Sequence, residues 1–286
     1  MAGAERSGLG PTRRGALLSL AAASFAGSAR ATPPSLLLQG QFVQGGFAMG
    51  RTQPRAHVLL DGQDVGLASA QGLFIVGFDR DAGDAADIVV RTAGGQAERT
   101  LSIGKVAYDI QRIDGLPQDE VEPTDPALLA RIALEARRKA VGFASLVDDD
   151  SFRGGFVLPV QGARLSARFG GQRILDGVPK RPHYGDDLAA PVGTPVVAPA
   201  PGRVSFAETG LHYEGGLIMI DHGQGLISLY LHLSRIDVAA GQGVARGEVI
   251  GAVGKEGRAT GPHLCWRLKW RGRNLDPMLL VGTAKA

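Results

Sequence analysis

Apolar and polar residues alternate through most of this chain, in short runs separated by glycine-bearing turns. A period of two predicts β-strands that turn one face to a core and the other to solvent or a cleft. Between about residues 36 and 113 the runs are His57–Leu60, Leu73–Phe78, Asp87–Val90 and Thr100–Ile103. Asp61-Gly62, Gly83-Asp84 and Gly94-Gly95 supply turn signals between them. About seven short strands at this spacing predict a small β-sandwich. From Phe156 to Leu280 the pattern returns in Pro195–Ala198, Gly202–Phe206, Leu217–Ile220, Leu226–Tyr230, Glu248–Val253 and Cys265–Trp270. There, every second side chain can point into one cleft.

Two segments break the alternation. Gly115–Pro123 is an acidic, proline-bearing linker, and Thr124-Asp125-Pro126 then has the form of a helix start. It offers a capping side chain followed by proline at an early helical position. The period becomes that of an amphipathic helix to about Phe143, with Leu128, Leu129, Ile132 and Leu134 against Glu135, Arg137 and Arg138. Such a connector helix is predicted to pack between domains. At the other break, Arg13 and Arg14 precede an apolar run from Gly15 to Phe25, and Ala29-Arg30-Ala31 fits the small-x-small cleavage rule. The run is short for a membrane span. The paired arginines ahead of Leu17-Leu18 also resemble a twin-arginine export signal. The predicted organisation is a signal peptide at 1–31, an accessory β domain at 32–115, a linker and helix at 116–150, and a glycine-rich antiparallel β domain at 151–286. The fold class is mainly β.

Composition changes this picture in three ways. The 42 glycines among 286 residues are scattered through the alternation, which points to turns and not to disorder. Residues 1–31 hold four of the 31 basic residues and one of the 28 acidic ones. The processed chain therefore carries 27 of each and no formal charge, so a nucleic-acid partner loses its electrostatic support. The single cysteine, Cys265, excludes an internal disulfide. An exported lone thiol needs burial or a metal to protect it. No other long apolar segment is present, so no stable membrane insertion is expected after processing.

The candidate chemistry sits in three histidine-bearing segments: His183-Tyr-Gly-Asp-Asp187, Leu231-His232-Leu233 and Thr260-Gly-Pro-His-Leu-Cys265. His183 and Asp187 flank Gly185 on a predicted turn into a strand, a spacing that can bring both onto one ion. His263 and Cys265, two apart on a strand, share a face. One of them can bind metal while the other addresses bound water. His232 follows the Leu226–Tyr230 strand and approaches from the neighbouring strand. Of the remaining histidines, His57 is read as structural or solvated and His222 as shaping a hairpin, while His212 lies in a loop near the cleft mouth.

Residues 156–280 resemble the lysostaphin/LytM-type zinc endopeptidases of bacterial cell walls. The matching stretches are His183–Ala198, Gly202-Arg-Val204, Tyr230-Leu-His-Leu-Ser234, Gly247-Glu-Val-Ile-Gly251 and Thr260–Leu264, with Arg168-Phe169-Gly170 as an approach to the site. The resemblance implies that 151–286 is a zinc peptidase domain. His183 and Asp187 would then be Zn2+ ligands, and His232 and His263 would handle the water and the oxyanion. The third ligand falls on Cys265, where the family pattern has histidine. Thiolate binds zinc well, at about 2.3 Å against about 2.0–2.1 Å for imidazole. It also donates more charge and reaches less far. The implied substrate is peptidoglycan, and the implied location is the periplasm or cell envelope. A second reading is a catalytically degenerate module that binds peptidoglycan or activates another hydrolase. A third is a carrier domain of the biotinyl/lipoyl-barrel kind, which lacks a modifiable lysine in the expected hairpin and has no use for Asp187.

Overall fold

The computed structural model describes residues 33–115 and 123–283. The predicted signal peptide, and residues 116–122 of the predicted linker, lie outside the described residues. The described chain is mainly β, as its alternation predicts, with 21 strands and one α-helix.

The first seven strands are β1 (Leu37–Gln41), β2 (Phe47–Arg51), β3 (His57–Leu60), β4 (Gln63–Leu67), β5 (Leu73–Gly77), β6 (Ala85–Thr92) and β7 (Gly95–Ser102). They form two antiparallel sheets, ordered β1-β2-β5 and β4-β3-β6-β7. Asp61 and Gly62 join β3 to β4 with Leu60 opposite Gln63, and both take positive φ (52° and 77°). A two-residue hairpin whose twist matches its strands requires this conformation.

β8 (Ile110–Ile113) then leaves these sheets and pairs in parallel with β10 (Gln172–Leu175), with Arg173 opposite Gln111. The helix α1 (Pro126–Phe143) follows. Asp125 caps it, its carboxylate accepting from the backbone N–H groups of Ala127 and Leu128, and proline occupies the first turn. The helix lies on a strand of the C-terminal half and not between two halves. Gly142 makes the contact, because a Cβ there would come within 2.8 Å of Phe206 Cβ and 3.0 Å of Met219 Sδ. Buried Glu135 accepts from Arg131 and from the His212 backbone N–H. Leu129, Leu134 and Val141 are left exposed. Apolar count alone misidentifies the docking face, since polar partners on the sheet draw in Glu135 and Lys139.

The C-terminal strands are β9 (Arg164–Ala167), β10, β11 (Val178–Pro179), β12 (Asp186–Ala189), β13 (Pro195–Val197), β14 (Gly202–Leu211), β15 (Gly215–Asp221), β16 (Leu226–Leu233), β17 (Arg235–Ile236), β18 (Gly243–Val244), β19 (Val249–Ala252), β20 (His263–Trp270) and β21 (Arg273–Leu275). Eight of them make one sheet, ordered β18-β14-β15-β16-β20-β12-β9 with β21 on β20. Strand β20 shows how the sheet is used. Leu264, Trp266, Leu268 and Trp270 enter a core shared with Phe47, Phe74 and Ile88 of the N-terminal strands. The intervening His263, Cys265, Arg267 and Lys269 face the other way. Gly77 of β5 permits the close approach, since a Cβ there would meet Leu275 at 2.9 Å and Trp270 at 3.0 Å. On the opposite sheet face a smaller apolar cluster gathers Phe206, Leu217, Met219, Ile227, Leu229, Leu231 and Cys265.

Candidate metal centre

Strands β12, β20 and β16 lie side by side, and each delivers part of the site. His183 sits on the turn before β12. Its backbone is clamped at both ends, with its N–H donating to Gly171 O (2.8 Å) and its carbonyl accepting from Gly170 N–H (2.7 Å). Gly185 lets the turn pass beneath β20, because a Cβ there would lie 2.6 Å from Arg267 Cγ and 2.7 Å from the Trp266 carbonyl oxygen. Asp187 is then directly opposite Cys265, which on its other side pairs with Leu231 of β16.

The ligand atoms of His183, Asp187 and Cys265 lie within 4.8 Å of one another, and all three residues are buried. His183 Nε2 is 3.3 Å from Cys265 Sγ and 3.1 Å from Asp187 Oδ1. Despite that closeness, the buried Asp187 Oδ1 makes no hydrogen bond of good geometry. Imidazole, carboxylate and thiol are all zinc-type donors, and three of them leave a coordination position for water. The buried, unsatisfied carboxylate oxygen among them fits an ion held at that point.

His232 reaches the site through a bulge. Gly216 pairs with Leu233 and Ile218 with Tyr230, so β16 carries one extra residue there. His232 takes φ of +67°, a conformation rare for a residue with a side chain. Without the extra residue, strict alternation would send His232 to the core side with Tyr230. The bulge re-aims it toward the metal ligands, a role bulges often have beside functional sites. Its Nδ1–H donates to Glu256 O at 2.7 Å. His263 donates Nδ1–H to Gly261 O at 2.8 Å, and its Nε2 lies 3.6 Å from Asp187 Oδ1. The two rings are 4.8 Å apart, tilted by 50°. With Asp187, Arg173, Arg258 and Ile113 they line a chamber of about 60 Å³.

The electrostatics follow from this crowding. Burial pulls the His183 pKa down, but the Cys265 charge and adjacent Asp187 outweigh it and leave it above the ordinary value. Burial acts to raise the Asp187 pKa, yet His183, His263 and Arg173 hold the carboxyl well below the usual range. His232 is pushed down to about 4 by burial, and burial also lowers His263. Both rings are therefore neutral at neutral pH.

The structure brings all five sequence-predicted residues together. His222 closes the β15–β16 turn, and the ring of His212 packs on Tyr213 at 4.5 Å. The exposed His57 bonds Asp64 at 2.8 Å. Two further residues belong to the site. Arg267 donates from Nε to Cys265 Sγ at 3.3 Å, and Arg173 Nη2 approaches Asp187 Oδ2 at 3.8 Å. The alternation that pairs His263 with Cys265 extends to Arg267 and could have found it. Arg173 has no local signal, since only tertiary folding brings β10 over the site.

The model of peptidase family M23 matches residues 181–277. A crystal structure from Pseudomonas aeruginosa assigned to peptidase M23 is 31% identical. It superposes with a TM-score of 0.63 over 84% of this chain and 95% of that one. The chain belongs to peptidase family M23. Among curated proteins it is similar to the peptidoglycan DD-endopeptidase ShyA of Vibrio cholerae, 45% identical over 118 residues (40% of this chain, 27% of that protein). It is also similar to the DD-carboxypeptidase/endopeptidase Mpg of Neisseria meningitidis, 42% identical over 127 residues (44% of this chain, 29% of that protein). The match thus spans less than a third of the length of either relative.

Proposed function

We propose that this chain is a zinc-dependent endopeptidase that cleaves peptide cross-links of bacterial peptidoglycan. The observation that carries the reading is the meeting of three zinc-type donors in one buried spot, with two neutral histidines turned toward it. The names of the relatives support the substrate class. His183 Nε2, Asp187 Oδ1 and Cys265 Sγ would hold the ion. When bound, zinc supplies a Lewis acid for the scissile carbonyl and lowers the pKa of water.

The rest is the work of the protein's own groups. His232 commits Nδ1–H to a backbone carbonyl, which fixes the tautomer and leaves Nε2 as a free base. Its low pKa keeps that lone pair available at neutral pH and makes the protonated ring a strong donor to a leaving amine. His263, held in the same tautomer, stands beside it with Nε2 unprotonated, and once it takes up the proton there it would donate to the oxyanion. Arg267 offsets the charge that a thiolate at Cys265 adds. The signal-like segment supports export to the cell envelope with processing after Ala31. N-terminal sequencing of the exported form should then begin at Thr32, and an intact Met1 end would exclude this processing.

The test is digestion of purified peptidoglycan by the purified protein. Soluble peptides should be released, release should stop with a chelator, and zinc should restore it. One bound zinc per chain with no release would favour the non-catalytic module.

A further inference from the structure

A second, larger cavity of about 800 Å³ opens beside the small chamber, and Arg173, Leu175 and Arg258 line both. Its floor is the apolar sheet face of Leu217, Met219, Leu229 and Leu231. Among the described residues, its walls carry seven Lys and Arg side chains but a single carboxylate, Glu214. Lys139 already takes that carboxylate. Among the described residues, no ion pair engages Lys180, Arg181 or Lys269, and Arg173 Nε is buried without a hydrogen-bond partner. Lys269 sits 5.2 Å from the Phe143 ring, and burial and neighbouring Arg267 lower its pKa.

Like charges gathered over an apolar floor repel one another and lose hydration. An arriving anion relieves both costs. Guanidinium groups match a carboxylate's two oxygens, and the leucine floor suits the aliphatic part of a residue bearing one. The volume is that of an ordinary ligand pocket. We propose that this cavity seats a free carboxylate of the substrate peptide while the scissile bond lies in the adjoining chamber. The inference rests on the peptidase reading for the word substrate. Its structural basis, a cationic cavity sharing walls with the metal centre, is independent of that reading.

The probe is a cross-linked peptide dimer released from purified peptidoglycan and labelled at its amino end. A second form has its carboxyl groups converted to methylamides. Fluorescence anisotropy on the full-length zinc-loaded protein measures binding, and chromatography measures cleavage separately. The carboxylate form should bind about tenfold or more tighter, with an advantage that shrinks as salt rises. Lys269→Met and Arg181→Ala should each weaken binding of the carboxylate form about threefold to tenfold, raising KM while kcat holds. Binding of the amidated form should be unchanged, and Lys269→Arg should keep the preference. Equal affinity for the two forms, or variants that weaken both alike, would overturn the proposal. Preferential binding without cleavage would sink the peptidase reading and leave the anionic subsite standing. Cleavage without preference would do the reverse.

Discussion

His222 sits in the turn before strand β16 and His232 near the strand's end, and burial drives both to a pKa of about 4. Their surroundings differ in one respect. Around His222 every polar atom is committed. Nδ1–H donates to Pro201 O at 2.7 Å, and Nε2 accepts from Ser228 Oγ at 2.7 Å. Ser228 Oγ in turn lies 2.7 Å from Tyr230 Oη, and Phe156 packs on the ring at 4.8 Å. Around His232 only one nitrogen has a hydrogen bond among the described residues, and the ring faces His263 across a cavity. Burial and a depressed pKa are common to a structural and a chemical histidine. An uncommitted nitrogen facing open space beside metal-type donors separates them.

The largest effect is expected at a residue that neither histidine replaces. Asp187→Ala should lower zinc content to background and activity with it, because two remaining donors and a displaced charge cannot hold the ion. Metal analysis of the purified variant reads this directly, and unchanged zinc would mean that the ligands lie elsewhere. Next come His232→Ala and His263→Ala. Each should reduce peptidoglycan hydrolysis by about 10²-fold or more while zinc stays bound. Loss of metal in both would erase the distinction between ligand and proton-handling histidines.

His222→Ala should act on stability instead. Losing a buried ring and leaving Ser228 and the Pro201 carbonyl unsatisfied should cost about 2–4 kcal/mol in urea unfolding. Activity of the folded fraction should remain. The same site gives a pH signature. The folded pKa of about 4 lies below the unfolded value near 6.5, so the unfolded chain binds the proton first. Stability from this group is therefore complete above about pH 6.5, falls by roughly 3 kcal/mol as pH drops toward 4, and is flat below. His222→Gln should flatten that part of the profile. A profile unchanged by the substitution would show that the ring does not titrate as its burial implies.

The smallest effect is expected at the third ligand. Cys265→His should retain zinc and change activity by no more than about tenfold, since one zinc-type donor replaces another. In the wild type, bound zinc should shield the thiol from alkylation and a chelator should expose it. Equal labelling in both states would remove Cys265 from the metal site.

The longest strands and the candidate site residues were legible in the sequence, because alternation and turn residues act locally. The run Leu264, Trp266, Leu268, Trp270 against His263, Cys265, Arg267, Lys269 writes the two faces of β20 directly into residue order. The route of His232 into the site was not legible. Its parity with Tyr230 points to the core, and no glycine marks the left-handed position that reverses it. The pairing of β8 with β10 was equally hidden, because it joins residues about sixty apart through hydrogen bonds that side chains do not encode.

That parallel pair bears on any attempt to isolate the peptidase by trimming the chain. A fragment beginning near residue 156 would keep all five site residues, yet it would strip β10 of its neighbour β8 and remove Ile113 from the chamber wall. It would leave a raw strand edge open to partners of the wrong kind. Arg173, whose guanidinium approaches Asp187, stands on that strand. The length at which the chain is cut therefore bears on how Arg173 is held beside Asp187, although every presumed metal ligand is kept.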